Sequence, residues 1–218
     1  MPLSAAALTT PAAVFDELDL EDDGGVLRAR VERYIEEASS LVASIIGNGR
    51  SVQLHHGAAI VSAVKGMDHP TIILPVRPLV SIAEVTVDGD VVDPDDYDIV
   101  NADAGFVDRA SGSWPSRMEL QAGVVTAGRL GTERTNITVT YAGGWVTPLQ
   151  ATAELPRTLP HAIEGAVQRL VTARWRGRGN DPRLASTSHQ SSTYTFGGEP
   201  VPPEVMAALA PHIRIANA

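Results

Sequence analysis

Apolar residues recur along this chain with two different periods, and the period changes twice. Between Val26 and Ile46, the residues Leu27, Val31, Tyr34, Ala38, Leu41 and Ile45 fall at steps of three and four, and Ile35, Val42 and Ile46 widen the stripe. The spacing predicts an amphipathic helix that Gly47 and Gly49 stop. A shorter helix is predicted before it, with Thr10 as N-cap, Pro11 in the first helical position, and Val14, Phe15 and Leu18 on one face. Asp19 to Gly25 reads DLEDDGG, an acidic turn in which Asp22 or Asp23 caps the long helix. The stripe reads as core packing, since three heptads are few for a coiled coil.

From Ser51 to Pro70 the pattern is weak, and then the period shortens to two. Thr71 to Leu74 is a β-branched run, and Pro75 and Pro78 force an extended stretch. Val80, Ile82, Val85 and Val87 predict a strand, Asp88-Gly89 a hairpin turn, and Val91-Val92 its return. Further strands are expected at Tyr97–Val100, at Gly105–Val107 and at Asn136–Tyr141, where Ile137, Val139 and Tyr141 share a face. Arg117 to Gly131 is glycine-spaced and reads as a loop or an extra hairpin.

The last of these strands stops abruptly at VTYAGGWVTP, where two glycines relax the backbone and Pro148 and Pro156 bar helix and sheet. The helical period then returns. Thr158 is the expected N-cap, with Pro160 in the first turn. Ile163, Ala166, Val167, Leu170 and Val171 form one face, and Trp175 ends it. Arg174 to Arg183 (RWRGRGNDPR) is expected to be an exposed basic loop. Ser188 to Phe196 alternates like a strand. A glycine–proline linker leads to a short helix with Val205, Met206 and Leu209.

The expected fold class is α+β: a helical bundle with an inserted small antiparallel β domain and an extended C-terminal arm bearing a short helix. The expected divisions are N-terminal helices over 1–50, an inserted β region over 51–150, a helix and basic loop over 151–183, and a strand-like segment and arm over 184–218.

Composition narrows the function classes. The chain is 44% hydrophobic and 20% charged, enough for a substantial core. The net charge of −9 opposes a bulk grip on phosphates, and 5% aromatic content argues against stacking platforms for single strands. With no cysteine, disulfides, zinc knuckles and thiol nucleophiles are excluded. No apolar run reaches the ~20 residues of a membrane span. The N-terminus lacks the basic region of a signal peptide, so a protein made and used without export is expected.

Candidate chemistry is sparse. There is no GxxxxGK[ST], no GxSxG and no HExxH. His55, His56 and His69 lack the spacing of a metal site and read as loop or edge-strand residues. The run Asp93, Asp95, Asp96, Asp98 invites a metal-dependent hydrolase reading, but Asp-Pro-Asp-Asp between strands is ordinary turn chemistry. Ser113 and Ser116 have no supporting triad pattern, and Asn136-Ile137-Thr138 is a glycosylation sequon in a chain that does not look secreted. The strongest electrostatic feature is Arg174, Arg176, Arg178 and Arg183. Its natural opposite is the acidic segment with Asp19, Glu21, Asp22 and Asp23, offered by another copy.

In order and spacing, the segments resemble the head–tail connector, or adaptor, proteins of long-tailed bacteriophages and gene transfer agents. The likeness rests on LTTPAAVFDEL, VLRARVERYIEEASSLVASIIGNGR, IILPVRPLVSIAEVTVDG, ITVTYAGGW, LPRTLPHAIEGAVQRLVTARW, STSHQSSTYTF and PPEVMAALAPHIR, nearly the whole chain. Arg117 to Thr135 is less typical. The resemblance implies a non-enzymatic virion protein without cofactor or metal, assembled in the host cytoplasm. It would form a ring of twelve copies that bridges the portal to a stopper or tail-completion protein. DNA would pass through the middle without specific binding, and an acidic wall suits that passage. It also implies that the C-terminal arm, with Val205, Met206, Leu209 and Ile213, is the portal-binding segment. The alternatives are another neck protein, namely a stopper or tail-completion protein, the Asp93–Asp98 hydrolase, and a monomeric β-type binding module.

Overall fold

The computed structural model describes residues 3–50, 52–116, 118–119, 132–133, 135–177, 186–189, 192–195 and 201–214. They form an α+β fold of two compact units. Unit 1 joins Met1–Val52 to Val146–Ala218, and unit 2 is the continuous stretch Gln53–Trp145.

Among the described residues, unit 1 is built on four helices: α1 (Pro11–Leu18), α2 (Val26–Ile46), α3 (His161–Gly177) and α4 (Pro203–Leu209). The Thr10 hydroxyl accepts the Ala13 N–H at 3.2 Å, so α1 is capped as its sequence predicts. On α2 the buried face is Val31, Tyr34, Ile35, Ala38, Val42 and Ile46, while Leu41 is 42% exposed. Of the expected stripe, Val31, Tyr34 and Ala38 are buried together with the widening residues Ile35, Val42 and Ile46, whereas Leu27, Leu41 and Ile45 flank the buried face. The reason is coverage. The segment before α1 lies along α2, where the Leu8 N–H donates to the buried Ser39 hydroxyl at 3.1 Å, and α3 packs on α2 as well.

Two expectations about α3 are corrected. Thr158 is not its N-cap: the hydroxyl accepts the Val146 N–H at 2.9 Å, and the Pro160 carbonyl begins the helix by accepting from Ile163 and Glu164. Nor does the basic stretch begin as a loop, for α3 continues to Gly177 and carries Arg174 and Arg176 in its last turn. Ile163, Ala166, Val167, Val171 and Trp175 are buried, and Leu170 lies at the margin. α4 rests on α3 and α2 with Val205 and Leu209 fully buried. Seven residues cannot hold a helix alone. Burying these two side chains supplies about 1.5–3 kcal/mol each, and the Arg214 N–H donates to the Ile46 carbonyl at 2.7 Å, satisfying the end of α2.

Unit 2 contains β1 (Gly57–Val64), β2 (Thr71–Ile73), β3 (Leu79–Val87), β4 (Asp90–Val91), β5 (Tyr97–Asn101), β6 (Phe106–Arg109), β7 (Met118–Glu119), β8 (Thr132–Glu133) and β9 (Ile137–Gly143). Among the described residues these strands pair antiparallel, and the isolated bridge between His55 and Trp145 is parallel. One sheet runs β1-β9-β3-β4, another β2-β6-β5, and β7 pairs with β8. Leu74, Val85, Val107, Trp114, Ile137, Val139 and Tyr141 form the core at 0% exposure. Its polar atoms are satisfied: the Tyr141 hydroxyl accepts the Val76 N–H at 3.1 Å, and the Trp114 indole N–H donates to the Val107 carbonyl at 3.3 Å. Asp88 and Gly89 both take positive φ, 55° and 97°, the geometry of a tight two-residue hairpin. In unit 1, β10 (Ser186–His189) and β11 (Ser192–Thr195) pair as a hairpin, where one strand-like segment was expected over 188–196.

The abrupt stop at Gly143-Gly144 has a steric cause. A side chain on Gly143 would press on the carbonyls of Val76 and Pro78. Gly144 has φ of 92°, and a Cβ there would collide with the His55 carbonyl. The close approach ties the two ends of the insertion together: Trp145 N–H donates to the Leu54 carbonyl, and His56 N–H to the Trp145 carbonyl, both at 2.8 Å.

β1 is the element that periodicity missed. Its inward side chains Ile60 and Val64 pack on the core, but Ala59, Val61 and Ala63 on the other face are also apolar. With both faces apolar, no alternation marks the strand.

Candidate interaction surfaces

The acidic segment is mostly engaged within its own chain. Asp19 closes α1 in the left-handed region at φ of 50°. Asp22 binds the Arg28 guanidinium at 2.7 Å. Asp23 caps α2, its carboxylate accepting the N–H groups of Gly25, Leu27 and Arg28 at 2.9, 3.2 and 3.3 Å. The Gly25 bond, reinforced by those from Leu27 and Arg28, holds the Asp23 carboxyl below the usual carboxylate range. Glu21 is exposed.

The opposite charges are similarly placed. Arg174 reaches Glu37 on α2 at 2.7 Å and lies 5.1 Å from the Tyr34 ring centroid, while Tyr34 meets Trp175 edge-on at 6.4 Å. Arg176 is exposed beside it. Arg178 and Arg183 lie outside the described residues. Within one chain, then, Asp22 pairs with Arg28 and Arg174 with Glu37. Sequence reasoning missed Arg28 and Glu37, although the i, i+4 spacing of Arg28 and Glu32, paired at 3.1 Å, is a helix signal that could have found the first.

Of the C-terminal residues expected to face a portal, Val205 and Leu209 are buried on their own helices. Met206 is 39% exposed and Ile213 partly exposed. The arm expected to reach out for a partner is folded back in this structure. Two buried side chains and the Arg214 bond offset the freedom that the glycine–proline linker allows.

The aspartate run is turn geometry. Pro94–Asp96 forms a single three-ten turn in which Asp93 accepts the Asp95 N–H at 3.0 Å. Among the described residues, no group of three or more histidine and carboxylate side chains is placed to hold a metal ion. Asp88, Asp90, Asp93 and Asp96 do line one open groove with Val91 and Arg109, a convergence the linear pattern does not reveal. Arg109 stacks over Trp114 at 5.6 Å. His55 is half-buried, and desolvation, helped by His56, lowers its pKa. The His69 ring Nδ1 accepts the Thr71 N–H at 3.1 Å. Among the described residues, no helix is long and apolar enough to cross a membrane.

No family model matches the chain. No curated protein matches it. Among solved structures, the chain's fold is similar to that of a chain described as "Neck of empty GTA particle computed with C6 symmetry". The match covers 100% of this chain and 95% of that chain, with a TM-score of 0.58 and 14% sequence identity.

Proposed function

We propose that this protein is a structural component of the neck of a phage-like particle, a ring-forming adaptor. In this reading it joins the portal to the stopper or tail-completion protein and lets DNA pass. One observation carries the proposal: the fold likeness to a neck chain runs from end to end and includes both units. The order of sequence segments, which resembles that of adaptors, supports it independently. So does the charge of −9, since an acidic wall releases phosphates. In a sixfold-symmetric particle, off-axis components occur in multiples of six, and a ring of twelve satisfies that rule.

The reading is specific about contacts. Asp22, Asp23 and Arg174 are engaged within the chain, so Glu21, Arg176, Arg178 and Arg183 are the charges assigned to neighbouring copies. The portal contact falls on the outer side of α4, at Met206, and at Ile213. The test is to purify particles from producing cells and look for this chain by mass spectrometry and labelled-antibody imaging. The expected result is the chain at the head–tail junction, and its deletion should leave DNA-filled heads without tails. Particles that lack the chain, or deletion cells that still make complete ones, would refute the proposal.

A further inference from the structure

The eight-residue strand β1 forms one edge of the four-stranded sheet, and among the described residues it pairs only with β9. The direction of its backbone groups follows from the ladder. The Val92 N–H donates to the Val85 carbonyl, so Val85 turns away from β9. Its partner Val139 must then turn toward β1, where it meets Ser62. Ser62 spends its N–H and carbonyl on β9, and Val61 and Ala63 point theirs outward. Their side chains are exposed too, Val61 by 65%.

Proteins that keep a sheet edge in water blunt it with charge, proline, bulges or short length. β1 reads GAAIVSAV, long and without charge or proline, and its irregularity is confined to the Gly57 end. The outer face beside it continues the theme with Thr138, Thr140 and Ala142 of β9. An unpaired row of donors and acceptors asks for a strand, not for a small ligand. A ring needs two different faces on each copy. Among the described residues of unit 2 the longest other edge is β5, paired only with β6 and bulged between Ile99 and Asn101, with Ile99 and Val100 exposed by 36% and 61%.

We infer that β1 is the seam between copies of this chain: the β1 edge of one copy adds to the β5 edge of the next, head to tail. The inference rests on the ring reading above and names the surface that closes the ring.

Proline tests it cleanly, because at Val61 it removes an outward N–H and leaves the ladder to β9 intact. Val61→Pro and Ala63→Lys are purified alongside the parent chain. Circular dichroism and thermal melting report the fold, and light scattering reports the mass. The parent is expected to form multimers larger than a dimer. Both variants are expected to melt within about 3 °C of it and to run as monomers. If Val61→Pro does not fold, Ala63→Lys alone decides. Parent-like multimers from a folded variant would overturn the seam and leave the ring standing. A parent that stops at a dimer would overturn the head-to-tail arrangement in favour of β1 pairing with itself. A monomeric parent at the highest attainable concentration would overturn β1 as a self-pairing edge. The neck assignment is read separately, from the presence of the chain in purified particles.

Discussion

The two units of this protein solve the same problem, closing a hydrophobic core, with opposite use of the chain. Unit 2 is one continuous stretch. Its strands pair antiparallel, and Trp114 and Tyr141 at 0% exposure sit where its sheets share a core. Unit 1 is assembled from ends that lie far apart in sequence: the segment before α1 lies on α2, α3 joins from beyond the insertion, and α4 lies on both α2 and α3. In the β unit the backbone ladder does much of the holding. In the helical unit each helix satisfies most of its own backbone, so side chains do most of the joining, with the Arg214 N–H to Ile46 carbonyl bond as a backbone link. Damage to one large core residue should therefore be global in unit 2. In unit 1 it should release a particular segment.

The sharpest way to break this contrast is at Trp114. Trp114→Ala removes a fully buried indole and its hydrogen bond to the Val107 carbonyl, and should cost about 3–5 kcal/mol. Thermal melting followed by near-UV circular dichroism should show loss of the β core. A variant that melts like the parent would refute the account of unit 2. Leu209→Ala is the counterpart in unit 1, with an expected loss of about 2–5 kcal/mol in the docking of α4. Limited proteolysis should cut before Pro203 in this variant while α2 and α3 stay protected. Equal deprotection of all the helices would show that α4 is not a separable piece.

A smaller effect belongs to the polar link between the ends of unit 1. Glu164 is buried, paired with Arg157 at 2.7 Å and accepting the Thr9 hydroxyl at 3.1 Å. Glu164→Ala leaves Arg157 without its carboxylate. The expected cost is about 2–3 kcal/mol, below the value for a fully buried pair because Arg157 keeps some solvent. Denaturant titration measures it. In unit 2, Tyr141→Phe strands the buried Val76 N–H and should cost about 1–3 kcal/mol without loss of packing. That substitution separates the contribution of the hydroxyl from that of the ring.

The smallest effect expected is at Asp23. Its folded pKa is depressed, so its capping contribution is complete above the ordinary carboxylate value and is lost as pH falls through the lower folded value. The protection of the Leu27 and Arg28 amides against hydrogen exchange, taken relative to the unfolded-chain rate at each pH, should fall on acidification below about pH 4, with little change in protection elsewhere. Asp23→Ala should lack that protection at every pH. Protection independent of both pH and the substitution would exclude Asp23 as the cap.

Much was determined by sequence because it is local. The Thr10 cap, the ends of α2 at Val26 and Ile46, the Asp88-Gly89 turn and the Ile137–Val139–Tyr141 face depend on residues within a few positions of one another. Dihedral preference and side-chain spacing act at that range. The α+β class follows from them, since the period of the apolar pattern reports the element type directly. What tertiary structure alone decided depends on who the neighbours are. The face of α2 that is buried was set by the segment and helix that cover it. Thr158 gave its hydroxyl to Val146 because the chain returning from the insertion brought that N–H within reach. Arg174 and Asp22 found partners on α2, which removes them from the charges available to another molecule. α4 stayed with its own helices because Val205 and Leu209 find a complete apolar site there. β1 had no alternation to show, since its outward residues are as apolar as its inward ones. Only its place at the end of a sheet turns that uniformity into an open edge.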